Sequence, residues 1–491
     1  MPHILNLANE VLYQIIAATS PHDIESLAAS CRTINALAES KVKRHHELKK
    51  KYAKLAFRDF GDLDIAPGVH PIYVLRDVLQ DTALAQYPTT IRSTPFDHGC
   101  YEWYDTEPDI FAELEDVRAV AAGCEREIKN AIYQCPFIDV PERRTWRAQI
   151  MQGRGEAIFG LLLTLLPRMT SMMIAQHPEG LFTQIFNRIV KSHRPPNRHA
   201  PQALMKLARI DIAPYYSNSG MGPANEFDYL AQYALLPSMR TITGSHFQTC
   251  VKQHAQAFQW RHNPGISAVT EINIDRSTVD HESITNLLRG IRALERFSFS
   301  CGGYMPPRLI YQPRKIISGL EQYAKCSLSY LHLTGTRIGM NTMQIDDLEY
   351  DLRVFEKLKQ LQVDHTLLSH HDRPCLVPSK GKSDKDCICW PQRLVDVLPA
   401  SLESLKLVGS VPWRRVSAFF AGFSELKAER LPKLREIEMQ GSAAAELRFV
   451  HLCKKVGVVL SQNAGKDDAY YHCCDAVAVG SSEARQGRVG D

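Results

Sequence analysis

The chain has 491 residues, too many for one ordinary hydrophobic core, which predicts two or three domains or one elongated repeat array. Its formal charge of +4 is small for this length and does not favour nucleic acid as the main partner. No run approaches the roughly 18 apolar residues of a membrane span, and the 13 cysteines form no secreted-type framework. We therefore expect a cytoplasmic or nuclear protein with reduced thiols and no membrane partner.

Three short helices are predicted in residues 1–45. The first carries one apolar stripe made of Leu7, Val11, Leu12, Ile15 and Ile16. Ser20 and Pro21 are predicted to begin the second helix, because serine can cap free amides and proline suits the first helical position. The later stripes contain Ile24, Leu27, Ala28, Cys31, Ile34, Leu37 and Ala38. So small a unit buries little surface alone, so we expect it to dock on a partner.

This pattern resembles the F-box. The residues that carry the resemblance are Leu7, Ala8, Glu10, Val11, Leu12, Ile15, Asp23, Ile24, Leu27, Cys31 and Arg32. Ala8 stands where the family has proline, a departure that bears on adaptor affinity. The resemblance implies binding to the Skp-type adaptor of a cullin–RING ubiquitin ligase through Leu7, Ala8, Val11, Leu12, Ile15, Ile16, Ile24, Leu27 and Cys31. The alternative is that these helices only cover the end of the downstream domain.

Residues 46–72 are interpreted as a helical linker. The basic run Lys41–Lys51, which crosses the start of this linker, is interpreted as a solvated helix face. A phrase of the form Leu-x-x-Leu-x-Leu then recurs at irregular spacings of roughly 30–44 residues, longer than an ordinary leucine-rich repeat. Alternating apolar residues predict a buried strand in each copy. Strands are predicted to end near Ile174, Ile242, Ile274, Phe299, Leu333, Val363, Leu407 and Met439.

Helices are predicted between these strands at Ile284–Ile291, Pro313–Ala324, Ile345–Leu352, Gln392–Val397, Val416–Phe423 and Ala443–Cys453. Strands alternating with helices indicate a parallel sheet. The fold class expected is therefore α/β, with a three-helix F-box followed by an irregular leucine-rich-repeat-like solenoid over residues 73–462. A doubly wound domain is the alternative. The segments Leu75–Tyr87 and Trp146–Pro167 also resemble the first array segments of large fungal F-box proteins.

Two segments are predicted to lie outside the array. Residues 370–390 form a loop insertion by composition, and residues 480–491 a disordered tail. The loop contains His370, His371, Cys375, Cys387 and Cys389, which suggests a zinc site, although Cys-x-Cys is not the usual ligand spacing. No metal or other cofactor is assigned, and no phosphate-binding or hydrolase motif is complete.

The function expected from the resemblance is that of a non-catalytic substrate receptor, binding the adaptor and cullin complex at one end and an unknown target along the array. Two alternatives remain: a repeat scaffold independent of ubiquitination, and a zinc enzyme that uses the His370–Cys389 loop. The positions between strand leucines are the candidates for target contact. They are Ser298, His332, Gln362, Lys406 and Glu438.

Overall fold

The computed structural model describes residues 7–57, 68–93, 108–175, 180–193, 203–213, 225–249, 257–302, 311–335, 351–371, 389–391, 393–409, 413–440 and 447–463. The chain divides into two compact units, Met1–Ile310 and Tyr311–Asp491. Each unit is a mixed α/β structure with a parallel sheet, so the predicted fold class is confirmed at that level.

The first unit begins with three consecutive helices and continues with helices placed between strands. Its helices are α1 (Asn9–Ala18), α2 (Ile24–Ala29), α3 (Arg32–Tyr52), α4 (Pro71–Gln80), α5 (Pro108–Gly123), α6 (Glu125–Gln134), α7 (Arg143–Met151), α8 (Gly155–Leu165), α9 (Leu181–Ser192), α10 (Asp228–Tyr233) and α11 (His281–Arg289). Its strands are β1 (Lys54–Phe57), β2 (Thr90–Ser93), β3 (Ser171–Ala175), β4 (Arg209–Ala213), β5 (Asn225–Glu226), β6 (Thr241–Ser245), β7 (Phe247–Gln248), β8 (Glu271–Ser277) and β9 (Arg296–Cys301).

The second unit repeats the alternation of strand and helix. Its helices are α12 (Pro313–Ala324), α13 (Leu394–Val397), α14 (Trp413–Phe419), α15 (Phe423–Arg430) and α16 (Leu447–Lys455). Its strands are β10 (Tyr330–Gly335), β11 (Gln360–Asp364), β12 (Ser369–His371), β13 (Cys389–Pro391), β14 (Ser404–Val408), β15 (Glu436–Gln440) and β16 (Val459–Asn463).

Strand order in each sheet follows chain order. The first unit has the parallel order β1-β2-β3-β4-β6-β8-β9, and the second has β10-β11-β14-β15-β16. The short strands β5 and β7 pair with each other, and β12 and β13 form an antiparallel pair. A doubly wound domain reverses its strand order once to create a switch point. Among the described strands, neither parallel sheet contains such a reversal.

The register aligns apolar side chains into buried ladders. In the first unit one ladder contains Leu55, Ile91, Met172, Ile210, Ile242, Ile272 and Phe297. In the second unit the corresponding ladder begins with Leu331, Leu361, Leu405 and Ile437. All of these side chains are buried. Because side chains alternate along a strand, the residues between them form a second, more exposed face, which we name the open face.

One main-chain hydrogen-bond pattern recurs at the start of the strands. The carbonyl oxygen of the residue just before a strand accepts hydrogen bonds from two successive amides that lead into the neighbouring strand. Thr170, for example, accepts from Ala208 at 2.9 Å and from Arg209 at 3.0 Å. The residues that accept in this way are Ala53, Thr89, Thr170, Ala208, Arg240, Thr270, Ser329, Lys359 and Glu403. This repeated contact fixes the register of each pair of strands.

The strand phrases found in the sequence are confirmed, and the helix boundaries differ in places. The helix expected over Pro313–Ala324 is observed residue for residue. The helix expected over Val416–Phe423 is instead two helices, because Gly422 adopts the left-handed conformation (φ 70°) before α15 begins. Most of the helix expected over Ile345–Leu352 lies outside the described residues. Residues 46–72 are not helical throughout: α3 ends at Tyr52 and β1 follows, because Leu55 and Phe57 alternate as buried strand residues.

Gly244 occupies a position in a buried ladder, and the ring of Phe247 fills the space that a side chain at this position would take. It lies in register between Ile212 and Ile274. A Cβ at this position would fall 2.7 Å from one ring carbon of Phe247 and 2.8 Å from another. Phe247 is fully buried, so its ring has little room to move. A side chain at position 244 would therefore overpack the core of the first unit.

We expect Gly244→Ala to destabilise the chain by about 1–3 kcal/mol, the usual cost of overpacking a filled core. The measurement is the thermal unfolding midpoint of the full chain. Gly123→Ala is the matched control, because a Cβ at Gly123 meets no atom within 4 Å. Equal midpoints for the two variants would contradict the packing described at Gly244.

Candidate functional site

The first three helices form a small unit with its own core, which we name the three-helix unit (residues 7–52). Its buried side chains are Ile16, Ile24, Ala28, Ile34 and Ala38, and Leu27, Cys31, Leu37 and Val42 pack against them. The second and third apolar stripes expected from the sequence therefore meet in one cluster, to which the first stripe contributes only Ile16. The cluster is small, which matches the expectation that this unit needs further contacts for stability.

The residues expected to bind the adaptor fall into three groups by exposure. Leu12, Ile16 and Ile24 are buried, and Ile16 and Ile24 belong to the core of the three-helix unit. Ile15, Leu27 and Cys31 are half-buried. Leu7, Ala8 and Val11 are exposed, and Leu7 and Val11 each keep 40% of their surface accessible. Only the exposed and half-buried groups can touch a partner without rearrangement.

Leu7, Val11 and Ile15 follow one another at four-residue intervals, so Val11 and Ile15 lie on one face of α1, next to Leu7 just before the helix. We name these three residues, together with Ala8, the exposed stripe. Ala8 precedes α1, and its carbonyl oxygen accepts from the amides of Val11 at 3.0 Å and Leu12 at 3.1 Å. Its φ of −59° is the value at which a proline ring is fixed. A proline at this position would therefore keep the observed φ.

The second helix begins three residues later than expected. Ser20 does not cap it; its hydroxyl donates to the Asp23 carboxylate at 2.7 Å, and α2 starts at Ile24. Pro21 lies in the preceding turn instead of at the first helical position. Cys31, one of the expected adaptor contacts, caps α3, since its Sγ accepts from the amide of Ile34 at 3.4 Å. A structural role therefore accounts for part of its burial.

Lys41 from α3 satisfies the carbonyl end of α1. Its Nζ donates to the carbonyl oxygens of Ala17 at 2.8 Å and Thr19 at 2.9 Å, and also to that of Ile16. The last carbonyls of a helix lack the amide of a following turn, and a positive charge at this end is favourable. Burial lowers the pKa of Lys41. Sequence inspection placed Lys41 on a solvated basic face, but the structure gives it this packing role.

His45 connects the three-helix unit to the following part of the first unit. Its Nε2 lies 3.1 Å from the Glu25 carboxylate in α2, and its Nδ1 lies 3.3 Å from the Tyr87 hydroxyl just beyond α4. Lys49 also donates to Glu25, at 2.9 Å. Only 7% of the His45 side chain is exposed, and burial lowers its pKa although Glu25 opposes the shift. The neutral ring satisfies both contacts when it donates to Glu25 and accepts from Tyr87.

Further polar contacts join the same two regions. The Tyr52 hydroxyl donates to Asp77 in α4 at 2.6 Å, and Lys51 lies 3.6 Å from the same carboxylate. At the other side, the Arg168 guanidinium contacts Nδ1 of His22 at 2.8 Å. Together with His45, these contacts attach the three-helix unit to α4 and to the residues around Tyr87 and Arg168, at both its α2 and α3 sides. The basic run Lys41–Lys51 thus supplies several of the joining contacts.

The positions expected to face a target lie on the open faces. Within the second unit, His332, Gln362, Lys406 and Glu438 occupy one register row, and Lys406 Nζ lies 3.0 Å from the Glu438 carboxylate. Within the first unit, Ser298 belongs to a row that the sequence did not reveal. That row contains Ala56, Arg92, Met173, Asp211, Thr243, Asn273 and Ser298.

The zinc hypothesis receives no test from the structure. Of the expected ligands, Cys375 and Cys387 lie outside the described residues, and the side chains of His370, His371 and Cys389 lie outside the described part as well. Elsewhere in the described ranges, no group of three histidine, cysteine or acidic side chains is arranged to hold a metal ion. The described helices also include none that is long and apolar enough to cross a membrane.

Comparison with protein-family models and with curated proteins finds no match to this chain. The resemblance to the F-box therefore depends on the residues of the three-helix unit alone.

The burial of His45 predicts a pH dependence. Its pKa is lowered in the folded chain, whereas in the unfolded chain it is near 6.5. As the pH falls from 7.5 to 5.5, the unfolded chain takes up a proton before the folded chain does. The neutral ring therefore stabilises the folded state above about pH 6.5, and this contribution is lost on acidification.

We expect the free energy of unfolding to fall less between pH 7.5 and 5.5 in His45→Gln than in the original chain. Chemical unfolding at both pH values measures this difference. His46→Gln is the control, because the His46 side chain is 58% exposed. A fall of the same size in His45→Gln and in the original chain would contradict the role assigned to His45.

Proposed function

We propose that this chain is the substrate-receptor subunit of an SCF-type cullin–RING ubiquitin ligase. The three-helix unit binds the Skp-type adaptor, and the following repeats, of the degenerate leucine-rich type, bind a target protein. The observation that carries the proposal is the exposed stripe of Leu7, Val11 and Ile15 on a helical unit that already has a separate core. Apolar side chains left accessible beside a satisfied core favour burial against a partner.

The conformation of Ala8 supports the adaptor-binding role. Its φ of −59° is one that a proline ring allows, so the proline that the F-box has at this position would fit here. The alanine therefore preserves the entry into α1 and removes only the ring contact. Adaptor binding consequently depends mainly on the side chains of the exposed stripe, with the half-buried Leu27 and Cys31 at its border.

The repeat interpretation is supported by the main chain as well as by the sequence phrase. Each unit places the strands of its parallel sheet in chain order. At successive strands, the equivalent carbonyl accepts hydrogen bonds from two amides that lead into the next strand. Such repetition is typical of an array in which each repeat contacts its neighbours. The long and irregular intervals reflect helices and loops of variable length between strands of constant register.

The proposed mechanism is proximity, and the chain supplies no reacting group. A target held on the array and an adaptor held on α1 belong to one chain, so the ligase's transfer step becomes effectively intramolecular. The polar contacts of His45, Tyr52 and His22 restrict the motion of the three-helix unit against the first repeats. A target lysine then remains within a limited range of the bound ubiquitin-carrying enzyme.

We expect the double substitution Leu7→Asp, Val11→Asp to abolish retention of the Skp-type adaptor in a pull-down with the full chain. Two charges at an apolar interface would have to be buried unpaired, which costs several kcal/mol. Both positions are exposed, so the fold should survive, and circular dichroism verifies this. Ala8→Pro is expected to retain or strengthen adaptor binding.

Tyr13→Asp is the matched control for this experiment. Tyr13 lies on the same helix with 53% of its surface exposed, but on the opposite face from Val11. The Tyr13→Asp variant should bind the adaptor as well as the original chain does. If the original chain fails to retain the adaptor, or if the double variant retains it fully, the ligase assignment is wrong and a repeat scaffold becomes the better account.

A further inference from the structure

Asp211 lies at the centre of the open-face row of the first unit. It belongs to β4, between Met173 of β3 and Thr243 of β6, and its side chain is half-buried. No described residue donates a hydrogen bond to its carboxylate, and no described cation lies within ion-pair distance of it. Burial raises the pKa of Asp211, and attraction to Arg209 and Arg92 only opposes that shift.

Other acids on the open faces have a partner or contact water. Glu271 lies 3.7 Å from Arg296 on the neighbouring strand, and Glu438 lies 3.0 Å from Lys406. Asp364 accepts from the amide of Gly335 at 2.7 Å. Glu436 has no such partner but is exposed to solvent. Asp211 differs from these because it is partly desolvated and still lacks a donor among the described residues, a combination that costs free energy.

The surroundings of Asp211 indicate what kind of group would relieve this cost. Met173, directly beside it, is half-buried and offers an apolar surface for an aliphatic stem. Arg92 lies on the far side of Met173 and its Nε contacts the Met173 sulfur at 3.2 Å. Since neighbouring strands are about 4.8 Å apart, the backbones of Arg92 and Asp211 are roughly 10 Å apart.

We infer that Asp211 binds a lysine or arginine side chain of the target, whose aliphatic stem lies on Met173. The inference rests on the proposed function, because it names the part of the array that holds the target. Arg92 and Arg209 then favour an acidic residue beside the basic one. A target segment of mixed charge is thus selected over a uniformly basic one, which the two arginines repel.

The test uses the full chain with its adaptor and two arrays of immobilised 12-residue peptides. One array has a central lysine in randomised sequence, and the other has methionine, which is similar in length but uncharged, at the same position. We expect the original chain to bind a subset of lysine peptides at least tenfold more strongly than their methionine counterparts. Asp211→Asn should lose this preference, and Asp211→Lys should instead prefer central glutamate.

Glu271→Gln is the matched control, because it removes an open-face acid that already has Arg296 as a partner. It should keep the preference for lysine. Thermal unfolding of each variant verifies the fold, and Asp211→Asn should be at least as stable as the original chain. The inference is overturned if the original chain binds no peptide in a lysine-dependent manner, or if Asp211→Asn keeps the preference.

Adaptor binding is measured on the same samples as a separate readout. If the original chain binds the adaptor but shows no preference for lysine peptides, this inference is overturned and the ligase proposal stays in place. An intact lysine preference without adaptor binding contradicts the ligase proposal and still supports Asp211 as the contact for a basic side chain.

Discussion

The carbonyl oxygen that precedes most strands of the two parallel sheets accepts hydrogen bonds from two amides that lead into the neighbouring strand. This contact sets the register on which the other features depend. Because the register is constant, apolar residues such as Met172, Ile210 and Ile242 fall into one buried ladder. The same register aligns the intervening residues into rows on the open face. A shift of one residue in any strand would move its apolar side chains to solvent and its polar ones into the core. The repeated main-chain contact therefore determines both the core and the candidate target surface.

The three-helix unit is attached to the rest of the first unit through polar side chains. Its own core is small, and His45, Tyr52 and His22 supply contacts that reach α4, Tyr87 and Arg168. Lys41 instead makes its contacts within the three-helix unit, at the carbonyl end of α1. The exposed stripe is left accessible because none of these contacts uses it. Separate residues of the three-helix unit therefore attach it to the following strands and helices and form the exposed stripe.

Much of the sheet was predictable from the sequence, because a buried ladder requires two apolar residues two positions apart after a turn. The strand β4 follows the same spacing, with Leu204, Leu207, Ile210 and Ile212, and a wider search would have found it. In strand β2 the two buried positions hold Ile91 and Ser93. Because Ser93 is polar, a search for two apolar residues does not find this strand. In α1, Val11 and Leu12 are adjacent apolar residues, and their pattern alone does not predict that Val11 is the exposed one and Leu12 the buried one. The isolation of Asp211 was not predictable, since it depends on strands that are distant in the chain.

If the exposed stripe binds the Skp-type adaptor, the backbone amides of α1 should become protected on binding, whereas those of the open-face strands should not. Hydrogen exchange of the full chain, with and without saturating adaptor, reports this protection segment by segment. We expect slower exchange in residues 7–16 and unchanged exchange in strands β3, β4 and β6. Unchanged exchange in residues 7–16, or slower exchange confined to those strands, would show that the adaptor does not bind at the exposed stripe.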